Sequence, residues 1–137
     1  MVGYFPLLWW RELRAPGASD FVVAFRKRAG VPPENQAWAD YTAIKALAEG
    51  IRKMGTTEGM ALVKGLEGHK FESLKGRPLY FRPWDHQLIM PLYAARAKEK
   101  SEMKDKWDIF EVLSEEPQSG KSMEAIAMSR EESACRL

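Results

Sequence analysis

The stretch NQAWADYTAIKALAEGIRKMG, from Asn35 to Gly55, is the longest unbroken helical pattern in the sequence, and the rest of the chain is arranged around it. Ala37, Tyr41, Ile44, Ala48 and Ile51 recur at spacings of three and four, which predicts one buried helix face. Trp38, Leu47 and Met54 widen that stripe, while Asp40, Lys45, Glu49, Arg52 and Lys53 lie off it. Pro32 and Pro33 stop whatever precedes the helix, and Asn35 is the expected N-cap. Gly55 suits a left-handed C-cap, with Arg52 and Lys53 in the last turn where positive charge complements the helix dipole.

A chain of 137 residues has the size of one domain. Its 45% hydrophobic and 11% aromatic content is enough to build a core and excludes a disordered composition. The formal charge of +2, from interleaved acidic and basic residues, argues neither for nor against nucleic acid. The basic and aromatic run Phe81-Arg82-Pro83-Trp84 is weak support on its own for base stacking, and no nucleic-acid partner is expected. Arg11, Glu12 and Arg14 interrupt the apolar start, which leaves it short of a membrane span. It also lacks a basic leader and a small-residue cleavage site, so the sequence as it stands predicts a cytoplasmic chain. Cys135 is the single cysteine and has no internal disulfide partner.

Taken in order, Met1 to Phe5 reads as a short extended start that Pro6 breaks. Leu7, Leu8, Trp9 and Trp10 follow as four bulky apolar residues, either buried or covering something. After a turn at Ala15 to Ala18, Ser19 is the expected N-cap of a helix that Gly30 ends. Thr56 or Thr57 opens a further short helix through Met60, Val63 and Leu66. Near Gly68 the periodicity changes, and three strands are expected over Leu79–Phe81, Gln87–Ala97 and Trp107–Leu113. Pro91 inside the second implies an edge or a bulge. Lys98 to Lys106 reads as a solvated hairpin turn. The polar stretch after Glu115 is expected to pack poorly, dividing the chain into residues 1–113 and a tail of residues 114–137.

No glycine-rich phosphate loop or nucleophile elbow is present. His69 and His86 have no second histidine or cysteine at metal-ligand spacing, so no metal or cofactor is expected. Asp85-His86 reads as a polar pair at a turn, since catalysis needs a third partner. An enzyme is therefore not expected. Trp9, Trp10, Trp38, Tyr41 and Trp84 either line an apolar pocket or serve as core residues.

Read together, these segments resemble the C-terminal part of the type I periplasmic substrate-binding proteins of branched-chain amino-acid ABC transporters. The resemblance runs through FVVAFRKRAGVPPENQAWADYTAIKALAEGIRKMGTT, the phrase Leu66-Glu67-Gly68, the Gly76 to Phe81 strand entry, and Arg82-Pro83-Trp84-Asp85-His86-Gln87 ahead of Pro91 and Tyr93. It covers about Val2 to Val112. It implies an α/β fold, three helices then three strands, forming the last third of a two-lobed Rossmann-like protein whose lobes are joined by three crossings. It further implies a periplasmic or extracytoplasmic place, a signal peptide and a Cys135 partner upstream, an ABC permease as partner, and a small amino-acid-like or aromatic-acid ligand. By that resemblance the ligand side chain is approached near Gln36, with Trp38 close by, and by the loop after the first strand around Tyr4. A helix N-terminus at a cleft suits an anionic or polar ligand, because its free N–H groups point there. The alternative is a small interaction module that self-associates through an exposed Leu7, Leu8, Trp9 and Trp10 patch.

Overall fold

The second helix, α2 (Asn35–Met54), is the longest element of the computed structural model, which describes residues 3–135. The extended start expected at Met1 and Val2 and the last two tail positions lie outside those residues. Gly55 caps α2 as expected, at φ 65° and with its N–H donated to the Ile51 carbonyl. The N-cap is Glu34, not Asn35. Asn35 is the first helical residue, and its side-chain carbonyl accepts the Trp9 backbone N–H at 2.8 Å.

The buried face of α2 is Trp38, Thr42, Ala46 and Gly50, which is the expected stripe rotated by one position. Tyr41 and Leu47 are exposed, and Ile44 is 68% exposed. Close approach decides this rather than hydrophobicity. A Cβ on Gly50 would lie 3.1 Å from the Leu66 side chain, so only the face carrying Ala46 and Gly50 lets the next helix come that near.

Helix α1 (Ala18–Ala29) begins at Gly17 and ends at Gly30, both left-handed at φ 74°. Gly17 thus replaces Ser19 as the N-cap, while Asp20 in the first turn and Arg26, Lys27 and Arg28 in the last complement the dipole. Helix α3 (Gly59–Leu66) is capped by the Glu58 carboxylate, which accepts the Met60 and Ala61 N–H groups and is held below the ordinary glutamate range by them. Thr56 instead accepts the Glu58 N–H at 3.0 Å.

Strand β1 (Tyr4–Leu7) runs through Pro6, and β2 (Tyr80–Phe81) pairs antiparallel with β3 (Leu88–Ile89). The region expected to hold three strands holds four, with β4 (Leu92–Ala97) and β5 (Phe110–Glu116) completing it. The single strand expected over 87–97 is split at Pro91 into members of two different sheets. The larger sheet is antiparallel in the order β1-β4-β5, with Leu7 opposite Tyr93 and Leu92 opposite Glu116. Pro6 is tolerated because β1 is an edge strand. The expected boundary at 113/114 falls inside β5.

Two cores result. One gathers Trp9, Ala18, Trp38, Ala46, Phe71, Leu74 and Leu79 beneath the helices. The other gathers Leu7, Trp10, Tyr93 and Ala95 on the three-stranded sheet. Leu7, Trp9 and Trp10 are therefore buried, and of that run only Leu8 is exposed. This removes the exposed patch on which self-association was expected, because its side chains are spent on the two interiors.

Candidate ligand-binding surface

The Trp9 N–H bond to Asn35 brings the chain leaving β1 against the first turn of α2. No side chain caps that helix start. Gln36 is exposed in its first turn. Trp38 is almost fully buried, and its indole N–H donates to the Ser73 carbonyl at 2.6 Å.

Trp38 forms part of an apolar groove of about 390 Å³ between α2, Leu66 of α3 and the β2–β3 hairpin, with Leu8 also in its lining. Thr42 is the polar residue in its wall. Its hydroxyl is buried with no hydrogen-bond partner among the described residues. A second groove of about 700 Å³ lies between α1, α2 and the loop after Glu72, with Asp20, Phe21, Tyr41 and Lys45 in its walls. The Phe21 and Tyr41 rings pack there at 4.7 Å between centroids. Tyr4, 79% exposed, belongs to a third depression of about 320 Å³, formed with Pro6, Leu92 and Tyr93 on the three-stranded sheet. Tyr4 and Trp38 thus line different depressions, while Gln36 lies two residues from Trp38 on the helix start.

Asp85 and His86 point to different partners. Asp85 pairs with Arg82 and accepts the Gln87 N–H at 3.1 Å, and the Arg82 guanidinium holds its carboxyl below the ordinary aspartate range. His86, in the left-handed region at φ 55°, places Nε2 2.9 Å from the Glu67 carboxylate. Asp85 and His86 are thus not paired with each other. Among the described residues no group of three metal-ligating side chains comes together, and no helix is long and apolar enough to cross a membrane.

Two cations among the described residues are buried: Arg82, which the sequence marked only as part of a basic and aromatic run, and Lys75, which it did not mark. Arg82 donates to Glu124, Gln87 and the Met128 carbonyl besides Asp85, and lies 4.2 Å over the Trp84 ring. With Tyr80, whose hydroxyl donates to Glu124 at 2.6 Å, it fastens part of the expected tail to β2. Burial together with Glu124 pushes the Tyr80 phenol up to about 12. The motif Arg82-x-Trp84-Asp85 carried a signal for this cluster, since three residues suffice for a turn ion pair. Lys75 is buried between the Trp38 and Tyr93 rings, at 4.8 and 5.1 Å from their centroids. Burial pushes its ammonium down to about 7, against the opposing charge of Glu115. No local pattern announces it.

A sequence family described as periplasmic binding protein matches residues 2–102. No curated protein sequence matches the chain. Among solved structures, an amino-acid ABC transporter substrate-binding protein from Pseudomonas fluorescens Pf-5 is 26% identical, with a TM-score of 0.75 over 92% of this chain and 33% of that one. A periplasmic binding protein from Burkholderia mallei is 18% identical, with a TM-score of 0.83 over 98% of this chain and 34% of that one. A solute-binding protein of an ABC transporter from Rhodopseudomonas palustris BisB5, in complex with 3,4-dihydroxybenzoic acid, is 19% identical, with a TM-score of 0.71 over 84% and 31% of the two chains. This chain thus spans about a third of the length of the structures it resembles.

Proposed function

The chain belongs to the periplasmic-binding-protein family, and from that premise we propose that it serves as the C-terminal portion of the solute-capturing component of a branched-chain amino-acid-type ABC transporter. The match over residues 2–102 carries this reading, supported by α/β structure equivalent to about a third of a known binding protein. The complete protein holds a small amino-acid-like or aromatic-acid ligand outside the cytoplasm and delivers it to a membrane permease. It binds and does not catalyse.

Gln36 and Trp38 at the start of α2, together with Tyr4 on β1, contribute this chain's side of the ligand site. The exposure of Gln36 beside an uncapped helix start supports its place there. Trp38 contributes by fixing the shape of the α2 start, since its indole is spent on the Ser73 carbonyl. Calorimetric titration of the complete two-lobed protein against a panel of amino acids and aromatic acids tests the proposal. Saturable one-to-one binding of one class is expected, while the 137-residue chain alone gives none, because one wall cannot enclose a small ligand. No binding of any panel member by the complete protein would overturn the reading.

A further inference from the structure

The chain passes three times between the three-stranded sheet and the helical layer. It leaves the three-stranded sheet at Leu8, on the way to Trp9 in the helical core. It returns at Pro91, between β3 and β4. It leaves again after β5 at Pro117, and the following segment reaches β2 through Glu124.

One short loop touches all three passages. Lys75 Nζ donates to the Leu8 carbonyl on the first and to the Pro91 carbonyl on the second. Arg77 takes the third. Its guanidinium donates to Glu115 at 3.2 Å, to the Pro117 carbonyl at 2.9 Å and to the Lys121 carbonyl at 2.7 Å.

The loop is itself held from both sides. From the helical core, the Trp38 indole donates to the Ser73 carbonyl and the Trp9 indole to the Leu74 carbonyl at 3.1 Å. From the sheet, the Tyr93 hydroxyl donates to the Lys75 carbonyl at 3.3 Å. Leu74 is buried in the left-handed region at φ 63°, a conformation unfavourable for a side-chain-bearing residue that persists only where the surroundings dictate it.

We infer that the loop from Ser73 to Arg77 is the pin that sets the orientation of the helical layer against the three-stranded sheet, with Lys75 and Arg77 as its positioning residues. A surface ion pair could not do this, because it would fix one passage and leave the others free to bend. Lys75 instead cross-links two passages through one buried atom, and Arg77 binds the third from two residues away. Both use backbone carbonyls, so the grip follows the course of the chain rather than one rotamer of a partner. No solute is required, so the device stands apart from the identity of any ligand.

The test is a distance measurement between the two layers in the full chain. With Cys135→Ser as background, spin labels replace Val23 on α1 and Leu113 on β5, both well exposed. The parent is expected to give one narrow distance distribution by electron–electron double resonance. Lys75→Met keeps bulk and removes the donors; Arg77→Met does the same for the third passage. Each is expected to broaden the distribution about twofold or split it, as other orientations of the two layers become populated. If both fold, show lower melting temperatures and keep the parental distribution, the loop stabilises without orienting and the inference is wrong. Arg77 is partly exposed, so Arg77→Met retains the fold if Lys75→Met does not. A parental distribution in folded Arg77→Met would then overturn the inference by itself.

Discussion

Trp9 and Trp10 are neighbours in sequence but belong to different cores: Trp9 packs under the helices and Trp10 on the three-stranded sheet. Both indoles lie just past the end of β1, where the chain no longer runs as a strand. Trp9 stacks edge-on against Phe21 at 5.7 Å, and Trp10 against Phe110 at 5.4 Å. Two side chains next to each other therefore anchor two layers that are otherwise joined by thin connections.

The helical layer depends on α2 through its rotated face. Trp38→Ala removes a buried indole and its bond to Ser73, and is expected to cost about 3–5 kcal/mol. Ile44→Ala, on the exposed side, is expected to change stability by less than about 0.5 kcal/mol. Denaturant melts of the two variants check this. Equal losses would show that the buried face is the one that simple periodicity picks out.

How much of this was legible in the sequence depends on how local each cause is. The end of α2 was legible because Gly55 acts within one turn, and the three helices lie where their breakers place them. The buried face was not, because Tyr41, Ile44 and Leu47 outweigh Ala46 and Gly50 in any hydrophobic count, while the approach of Leu66 selects small residues. Pro91 announced a break, but not that the halves would join different sheets. At the candidate site, Gln36 and Trp38 could be placed at a helix start from the sequence. The Ser73–Arg77 loop could not, since its partners at Leu8, Pro91 and Pro117 are scattered along the chain.

Lys75 gives stability a pH signature. Burial lowers its folded-state pKa to about 7 from the ordinary lysine value of 10.5, so between those values the unfolded chain holds a proton that the folded chain has released. Stability then rises with pH across that window, because the unfolded state binds more protons. Below pH 7 the cost of burying the ammonium is constant. Relative to Lys75→Met, the parent is expected to gain on the order of a few kcal/mol between about pH 7 and 10. Urea melts of both proteins at several pH values give the difference, which cancels the groups they share. A flat difference would mean that Lys75 keeps its proton in the fold.

Arg82 has a different consequence, because its sequence-distant partners, Glu124 and Met128, lie in one segment. Arg82→Met removes the bonds to Glu124 and to the Met128 carbonyl while leaving β2 paired with β3. Losing charge-assisted bonds worth about 1.5–3 kcal/mol favours local opening of that segment by about tenfold or more. Trypsin should therefore cut after Lys121 or Arg130 at least about tenfold faster in the variant, with unfolding elsewhere unchanged. Cleavage at the parental rate would mean that Tyr80 and Arg77 hold the segment without Arg82.

Gln36 bears on the proposed ligand. Its side chain is exposed, so Gln36→Leu is expected to alter folding by no more than about 0.5 kcal/mol. Its amide offers both a donor and an acceptor, and leucine offers neither. A site that uses those bonds to distinguish solutes loses about 1–3 kcal/mol of discrimination when they are removed, and an apolar replacement favours apolar side chains. Trp38 sits one half-turn along the same helix start and keeps its shape through Ser73, so the change is confined to the chemistry at position 36. In the complete protein the variant should shift preference from polar toward aliphatic or aromatic solutes while leaving recognition of the common backbone groups in place. Calorimetric ranking of amino acids and aromatic acids before and after the substitution provides the measurement. An unchanged order of affinities would take Gln36 out of the site and leave it a solvated first-turn residue.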